Sequence, residues 1–219
     1  MCTVVVRWTP GSATEILALR DELVGRVFDD PAAHWPEQPT VIGGRDRAAG
    51  GSWCVSDTRS GATALVLNRP QKRVGTPSRG ILPLRAVAHG TAWPSYVTVG
   101  GMASFALVVA APETLTVWAY DGEQLTSQEL PPGTHMVTSG GAEDGKAGRF
   151  LADFAAAPVT QWPTIVGRQE PRDDPAALVV RHARGDLVYA TVFGQVITAA
   201  PGEMSLRCSR TPWIQSSWT

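Results

Sequence analysis

Cys2 is the residue in this chain whose position most suggests chemistry. It follows an initiator Met, and a side chain this small at the second position is compatible with removal of Met1. Removal would leave a cysteine carrying a free α-amine. Such an amine has a pKa of about 7.7–8.0, where a general base works well at neutral pH, and a free thiol titrates near about 8.5. One residue then supplies nucleophile and base together. It could attack an amide carbonyl and hold the acyl group on sulfur, provided an oxyanion donor stands nearby. The plainer alternative is a small buried hydrophobe at the start of an edge strand.

The other cysteines and the histidines add little chemistry. Cys2, Cys54 and Cys208 form neither an even disulfide framework nor a CxxC pair, and Cys54 and Cys208 are expected to be buried and inert. His89 and His135 are the two histidines worth checking as ligands, but no histidine pair has metal spacing, so no metal site is expected.

The elements that must hold Cys2 are mainly strands. Thr3–Trp8 is rich in β-branched residues and ends at a Pro10-Gly11-Ser12 turn. Glu15–Val27 carries Ile16, Leu19, Leu23 and Val27 at near-helical spacing. Residues 29–52 have a loop composition, with a short strand around Val41 and Ile42, and long loops are often functional. Ser52–Ser56 and Thr63–Asn68 read as a hairpin. Further strands are expected at Tyr96–Val99, Phe105–Ala110, Leu115–Tyr120, His135–Thr138, Leu187–Thr198 and Met204–Cys208. Ala147–Ala156 reads as a helix, and residues 157–175 as a Pro-rich connection leading into Pro175–His182. Many strands with few helices fit an α+β protein whose helices cover sheet faces.

Composition narrows the partners. The 219 residues suit one domain spanning 1–219, and 43% hydrophobic residues with 18% charged ones give a globular chain. With 19 Lys and Arg against 20 Asp and Glu, nothing suggests a nucleic-acid partner held by phosphate neutralisation. The longest apolar runs fall far short of the roughly 20 residues of a membrane span, and neither a secretory nor a transit segment is recognisable. A cytoplasmic protein acting on a small-molecule substrate or ligand is the expectation.

Six short motifs occur in order along the first eighty or so residues. They are Met1-Cys2, Leu19-Arg20-Asp21-Glu22, Gly43-Gly44-Arg45-Asp46, Gly50-Gly51-Ser52-Trp53, Leu67-Asn68-Arg69-Pro70 and Ser78-Arg79-Gly80-Ile81-Leu82. Together they resemble the NRDE, or transport-and-Golgi-organisation, family. Its pattern is a Met-Cys start, Asn-Arg-Asp-Glu, Gly-Gly-Arg-Asp, Gly-Gly-Thr-Trp, a Thr-Asn-x-Arg-type segment and Ser-Arg-Gly. The resemblance implies a four-layer αββα sandwich of the Ntn-hydrolase kind, with the N-terminal cysteine as nucleophile, and assigns part of Glu15–Val27 to a strand and loop in place of the helix its spacing suggests. Four features depart from the pattern: Leu19 replaces the first Asn, Ser52 replaces Thr, Thr138-Ser139-Gly140-Gly141 lacks the usual Asn, and the length is shorter than the family's, from which a smaller substrate pocket is expected.

Within that resemblance, Asp21 is expected to bind the α-ammonium and Arg20 to lower the thiol pKa by its charge, the alternative being a solvated Arg-Asp-Glu cluster; Asn68 either donates to an oxyanion or serves an ordinary turn before Arg69-Pro70. Trp53 reads as a pocket wall, and Arg79 as a group that binds an anionic substrate or forms a structural ion pair. Gly43–Asp46 reads as a tight structural loop. The resulting expectation is an Ntn-type amidohydrolase or acyltransferase for a small amide or acyl substrate, with no cofactor. The alternative is a non-catalytic binding or trafficking protein for a small hydrophobic ligand, haem among the candidates, and the lost Asn positions favour it. A haem role would need an axial ligand, and neither CxxCH nor another clear candidate is present.

Overall fold

The computed structural model describes residues 2–70, 77–140, 145–174 and 176–219. Its strands are β1 (Thr3–Trp8), β2 (Thr14–Leu23), β3 (Phe28–Ala32), β4 (Val41–Asp46), β5 (Cys54–Asp57), β6 (Thr63–Asn68) and β7 (Phe105–Ala111). They continue with β8 (Thr114–Tyr120), β9 (Leu125–Glu129), β10 (Gly133–Thr138), β11 (Arg181–Arg184), β12 (Leu187–Ala200) and β13 (Glu203–Ser209). The α-helices are α1 (Leu82–His89), α2 (Lys146–Ala156) and α3 (Trp162–Gly167). The protein is α+β, with strands predominating.

Two antiparallel sheets result. In the first, β10, β1, β2 and β12 lie side by side, and both β11 and β13 pair with β12; the second runs β3-β4-β5-β6-β7-β8-β9. Side-chain alternation along each strand divides the core between two faces. Val4 and Val6, Ile16 and Ala18, Leu65 and Leu67, and Ala106 and Val108 form one buried cluster between the sheets. The intervening residues point away from it. Phe105, Leu107 and Val109 pack with Leu82, Leu84, Ala86 and Trp93, so α1 covers the outer face of the seven-stranded sheet. On the outer face of the other sheet, Val5, Leu17, Leu19 and Val196 pack with Phe150, Phe154, Trp162 and Val166 of α2 and α3.

This double burial explains why Glu15–Val27 is not a helix. In β2, Ile16 and Ala18 face the second sheet while Leu17 and Leu19 face α2 and α3, and all four are buried. A strand apolar on both faces shows no clean alternation, and its run imitates helical spacing. Residues 29–52 contain two paired strands, β3 and β4, instead of one short strand. Tyr96–Val99 is not a strand: Gly90–Tyr96 forms 3-10 turns containing Pro94, which bury Trp93 completely. Within 157–175, the described residues include α3, whose Pro163 sits in the first turn, where a missing N–H costs nothing. The expected Pro175–His182 segment begins at Pro175, which lies outside the described residues; from it, Arg181 and His182 enter β11.

Candidate active site at Cys2

Strand register positions the site. Thr3 of β1 sits opposite Leu19 on β2 and Thr138 on β10, so Cys2 lies at the point where these two neighbours continue as Arg20-Asp21 and Ser139. The Cys2 N–H donates to Ser139 Oγ at 2.8 Å, and the Ser139 N–H returns a bond to the Cys2 carbonyl at 3.1 Å. The Cys2 thiol contacts the Asp21 backbone carbonyl at 3.8 Å. Burial pushes the thiol above its ordinary pKa and the Asp21 carboxylate adds to that, against a smaller opposing effect of Arg20. At rest the sulfur is therefore protonated.

A bulge in β12 sets the two charged residues apart. Thr191 sits opposite Asp21 and Phe193 opposite Arg20, with the register shifting between them. Thr191 is fully buried, and its hydroxyl donates to Asp21 Oδ1 at 2.6 Å while accepting the Val180 N–H at 2.9 Å. Asp21 is itself buried, and loss of solvent raises its pKa; the charge of Lys146 and the Thr191 bond oppose that rise. Lys146 begins α2, is 0% exposed, and donates from Nζ to Thr3 Oγ1 at 3.0 Å.

Arg20 is also buried, in a largely aromatic seat. Its guanidinium carbon lies 4.3 Å from the Trp53 ring centroid and 4.9 Å from that of Phe28. Phe28, Trp53 and Phe193 meet edge to face around it. Its Nη2 reaches Glu22 at 3.4 Å and Asp46 at 3.3 Å, whereas its buried Nη1 has no hydrogen-bond partner among the described residues. Arg26 completes the network, with Nε 2.6 Å from Asp46 Oδ2. Burial acts to raise the Asp46 pKa, but the Arg26 bond, the Ala49 N–H and the two arginine charges outweigh it, so Asp46 stays ionised below the usual carboxylate range.

The Gly43–Asp46 motif corrects one expectation, since it is strand β4 and no tight loop. Its glycine at position 44 is there for space. A Cβ at Gly44 would come within 2.2 Å of the Trp53 ring, so only glycine lets that indole lie flat on the strand. The turn begins only at Asp46, which accepts the Ala48 and Ala49 N–H groups. Gly51 and Gly80 likewise meet backbone to backbone, with the Ser52 N–H donating to the Gly80 carbonyl at 2.8 Å. That contact docks the Ser78-Arg79-Gly80 segment beside Trp53.

One cavity of about 520 Å³ gathers all six residues singled out from the sequence: Cys2, Arg20, Asp21, Trp53, Asn68 and Arg79. Asn68 is exposed at the end of β6, and Arg79 Nη1 donates to the Ser104 carbonyl at 2.8 Å. Arg79 makes no ion pair with any described residue, so the structural ion pair expected as one of its two roles does not form among them. Ser139, Thr191 and Lys146 also reach the site, and the motifs do not single them out. Lys146 was detectable, because it stands four and eight residues before Phe150 and Phe154 and so shares the buried face of its helix.

The remaining candidates stand apart from this cavity. Cys54 is buried, and burial drives its thiol far upward; Cys208 is half-exposed, not buried as expected. His89 stacks on Tyr96, and His135 Nε2 lies 2.7 Å from the Pro131 carbonyl. Among the described residues no cluster of three or more His, Cys, Asp or Glu could hold a metal ion, and no helix is long and apolar enough to cross a membrane.

Fold and site together define an α+β protein in which Cys2 lines a polar, arginine-rich cavity. The family described as Transport and Golgi organisation 2 matches residues 1–166, most of the chain, and the chain belongs to that family. The match ends within α3, so Thr191 and the rest of β12 reach the site from beyond it. No curated protein matches the chain.

Proposed function

We propose that the protein is an N-terminal-nucleophile amidohydrolase or acyltransferase acting on a small amide or acyl substrate. The observation that carries this reading is the Cys2 environment: its nitrogen is held by Ser139 Oγ at 2.8 Å and its sulfur rests against Asp21, at the wall of a cavity large enough for a small molecule. The order of layers also supports it, since α1, the seven-stranded sheet, the six-stranded sheet, and α2 with α3 follow one another as in an αββα sandwich.

The reaction requires removal of Met1, which lies outside the described residues. The freed α-amine, oriented by Ser139, takes the proton from Sγ as the S–C bond forms at the amide carbonyl. Asn68, on the cavity wall, is the side-chain amide available to the developing oxyanion. Collapse breaks the C–N bond and delivers that proton to the leaving amine. Water or an acceptor amine then attacks the thioester by the same route, and Sγ recovers its proton. Asp21, held by Thr191, stabilises the ammonium form of the base, and Arg20 offsets the negative charge on sulfur.

The protonated resting thiol favours a second reading, a binding protein that uses the same cavity without turnover. For haem, the described lining offers Cys2 and Tyr189 as side chains able to ligate the iron, with no histidine or methionine among the lining residues. A screen of N-acyl amides and lactones against wild type and Cys2→Ala separates the two readings. Turnover abolished by Cys2→Ala supports the enzyme, whereas ligand binding that survives Cys2→Ala without turnover in wild type supports the binding protein.

A further inference from the structure

The charges lining the Cys2 cavity do not cancel. The described lining carries four guanidinium groups, Arg20, Arg26, Arg69 and Arg79, against three carboxyl groups, Asp21, Glu22 and Asp46. Pairing divides them unevenly. Arg20 and Arg26 share Glu22 and Asp46. Asp21 is turned toward Thr191 and feels the charge of Lys146 behind it. Arg69 and Arg79 are left without an ion pair to any described residue. Of the five N–H groups on Arg79, one is engaged among the described residues, with a backbone carbonyl.

We infer that this cavity binds a small amphiphilic monoanion, an acyl compound bearing a free carboxylate, with the carboxylate received at Arg79 and Arg69. The inference rests on the acyl-transfer reading only in taking the acyl group to be the part beside Cys2. Two guanidinium groups, Arg69 and Arg79, thus remain to hold one carboxylate between them. Trp53, Val66, Pro70, Pro77 and Tyr189 line the same cavity and supply a surface for the apolar part of the ligand. Arg79 suits the anion site because its free N–H groups form a planar fork that matches two carboxylate oxygens. Burial lowers the Arg79 pKa against the opposing effects of Cys2 and Glu22, and a bound anion would add to that opposition.

A matched pair of probes isolates the charge. N-octanoylglycine and N-octanoylglycinamide differ at the terminal carboxylate alone, and each is tested for protecting Cys2 from iodoacetamide, read by mass spectrometry of the Cys2 peptide. The carboxylate is expected to protect at an about fivefold lower concentration, the effect of one charge contact at the water limit. Arg79→Gln should abolish that preference, and Arg79→Lys should keep part of it. Equal protection by both probes, better protection by the neutral one, or none by either overturns the inference on wild-type protein alone. Hydrolysis of the probes is followed separately: its absence counts against acyl transfer and leaves the charge preference standing.

Discussion

Thr191→Val tests the buried support beneath Asp21. The substitution keeps the shape of the side chain, but it removes the donor to Asp21 Oδ1 at 2.6 Å and the acceptor for the Val180 N–H at 2.9 Å. A hydrogen bond to a charged group contributes about 1.5–3 kcal/mol and a stranded buried N–H costs about 1–3 kcal/mol, so the loss should be about 4 kcal/mol at neutral pH. Thr191→Ser retains the hydroxyl and loses one methyl group, at a cost of about 1 kcal/mol. Urea unfolding of both variants against wild type measures the difference.

The pH dependence supplies a second, signed readout. Burial raises the folded-state pKa of Asp21, so its contribution to stability is fully present below the ordinary carboxylate value and is lost as pH rises through the raised one. Removing the Thr191 donor raises that pKa further. The deficit of Thr191→Val should therefore shrink as pH falls and Asp21 takes up its proton in both proteins. A variant within about 1 kcal/mol of Thr191→Ser, or a deficit that does not shrink in acid, would refute this account of Asp21.

Three further outcomes follow from the same geometry. Gly44→Ala drives a methyl group to 2.2 Å from the Trp53 ring and should destabilise the fold by about 1–3 kcal/mol, seen as a lower urea midpoint; an unchanged midpoint contradicts the packing described. Lys146→Met removes a buried charge acting on Asp21 and should cost about 3 kcal/mol at neutral pH, with the loss easing in acid; pH-independent stability contradicts the coupling. Iodoacetamide should modify Cys2 slowly at neutral pH and increasingly as pH rises past the ordinary thiol value, because burial and Asp21 favour the protonated form. A rate already at its plateau at neutral pH contradicts that electrostatic picture.

Much of the candidate site is legible in the ordered motifs, because Cys2, Arg20, Asp21, Trp53, Asn68 and Arg79 reach one cavity from the first eighty residues of the chain. Local pattern fails where burial is two-sided. β2 reads as helical because both its faces are covered, and α1 is hard to see because Pro83, in its first turn, resembles a breaker. Gly43-Gly44 suggests a turn because glycine tolerates left-handed backbone, but Gly44 instead makes room for the Trp53 indole, which approaches from the bend before β5. Ser139 shows only through the Asn-free Thr138-Ser139-Gly140-Gly141 segment, and Thr191 stands outside the six ordered motifs. They join the site through β10 and β12, whose pairing with β1 and β2 spans well over a hundred residues of sequence.

The central claim is that a Met1-free Cys2 carries an acyl group during turnover. Intact-mass analysis after incubation with p-nitrophenyl octanoate tests it most directly, because one spectrum reports both the N-terminus and the adduct. The account predicts a chain lacking Met1 that gains one octanoyl group as a thioester at Cys2, with no such adduct on Cys2→Ala. A chain that retains Met1, or an equal adduct on Cys2→Ala, would contradict it.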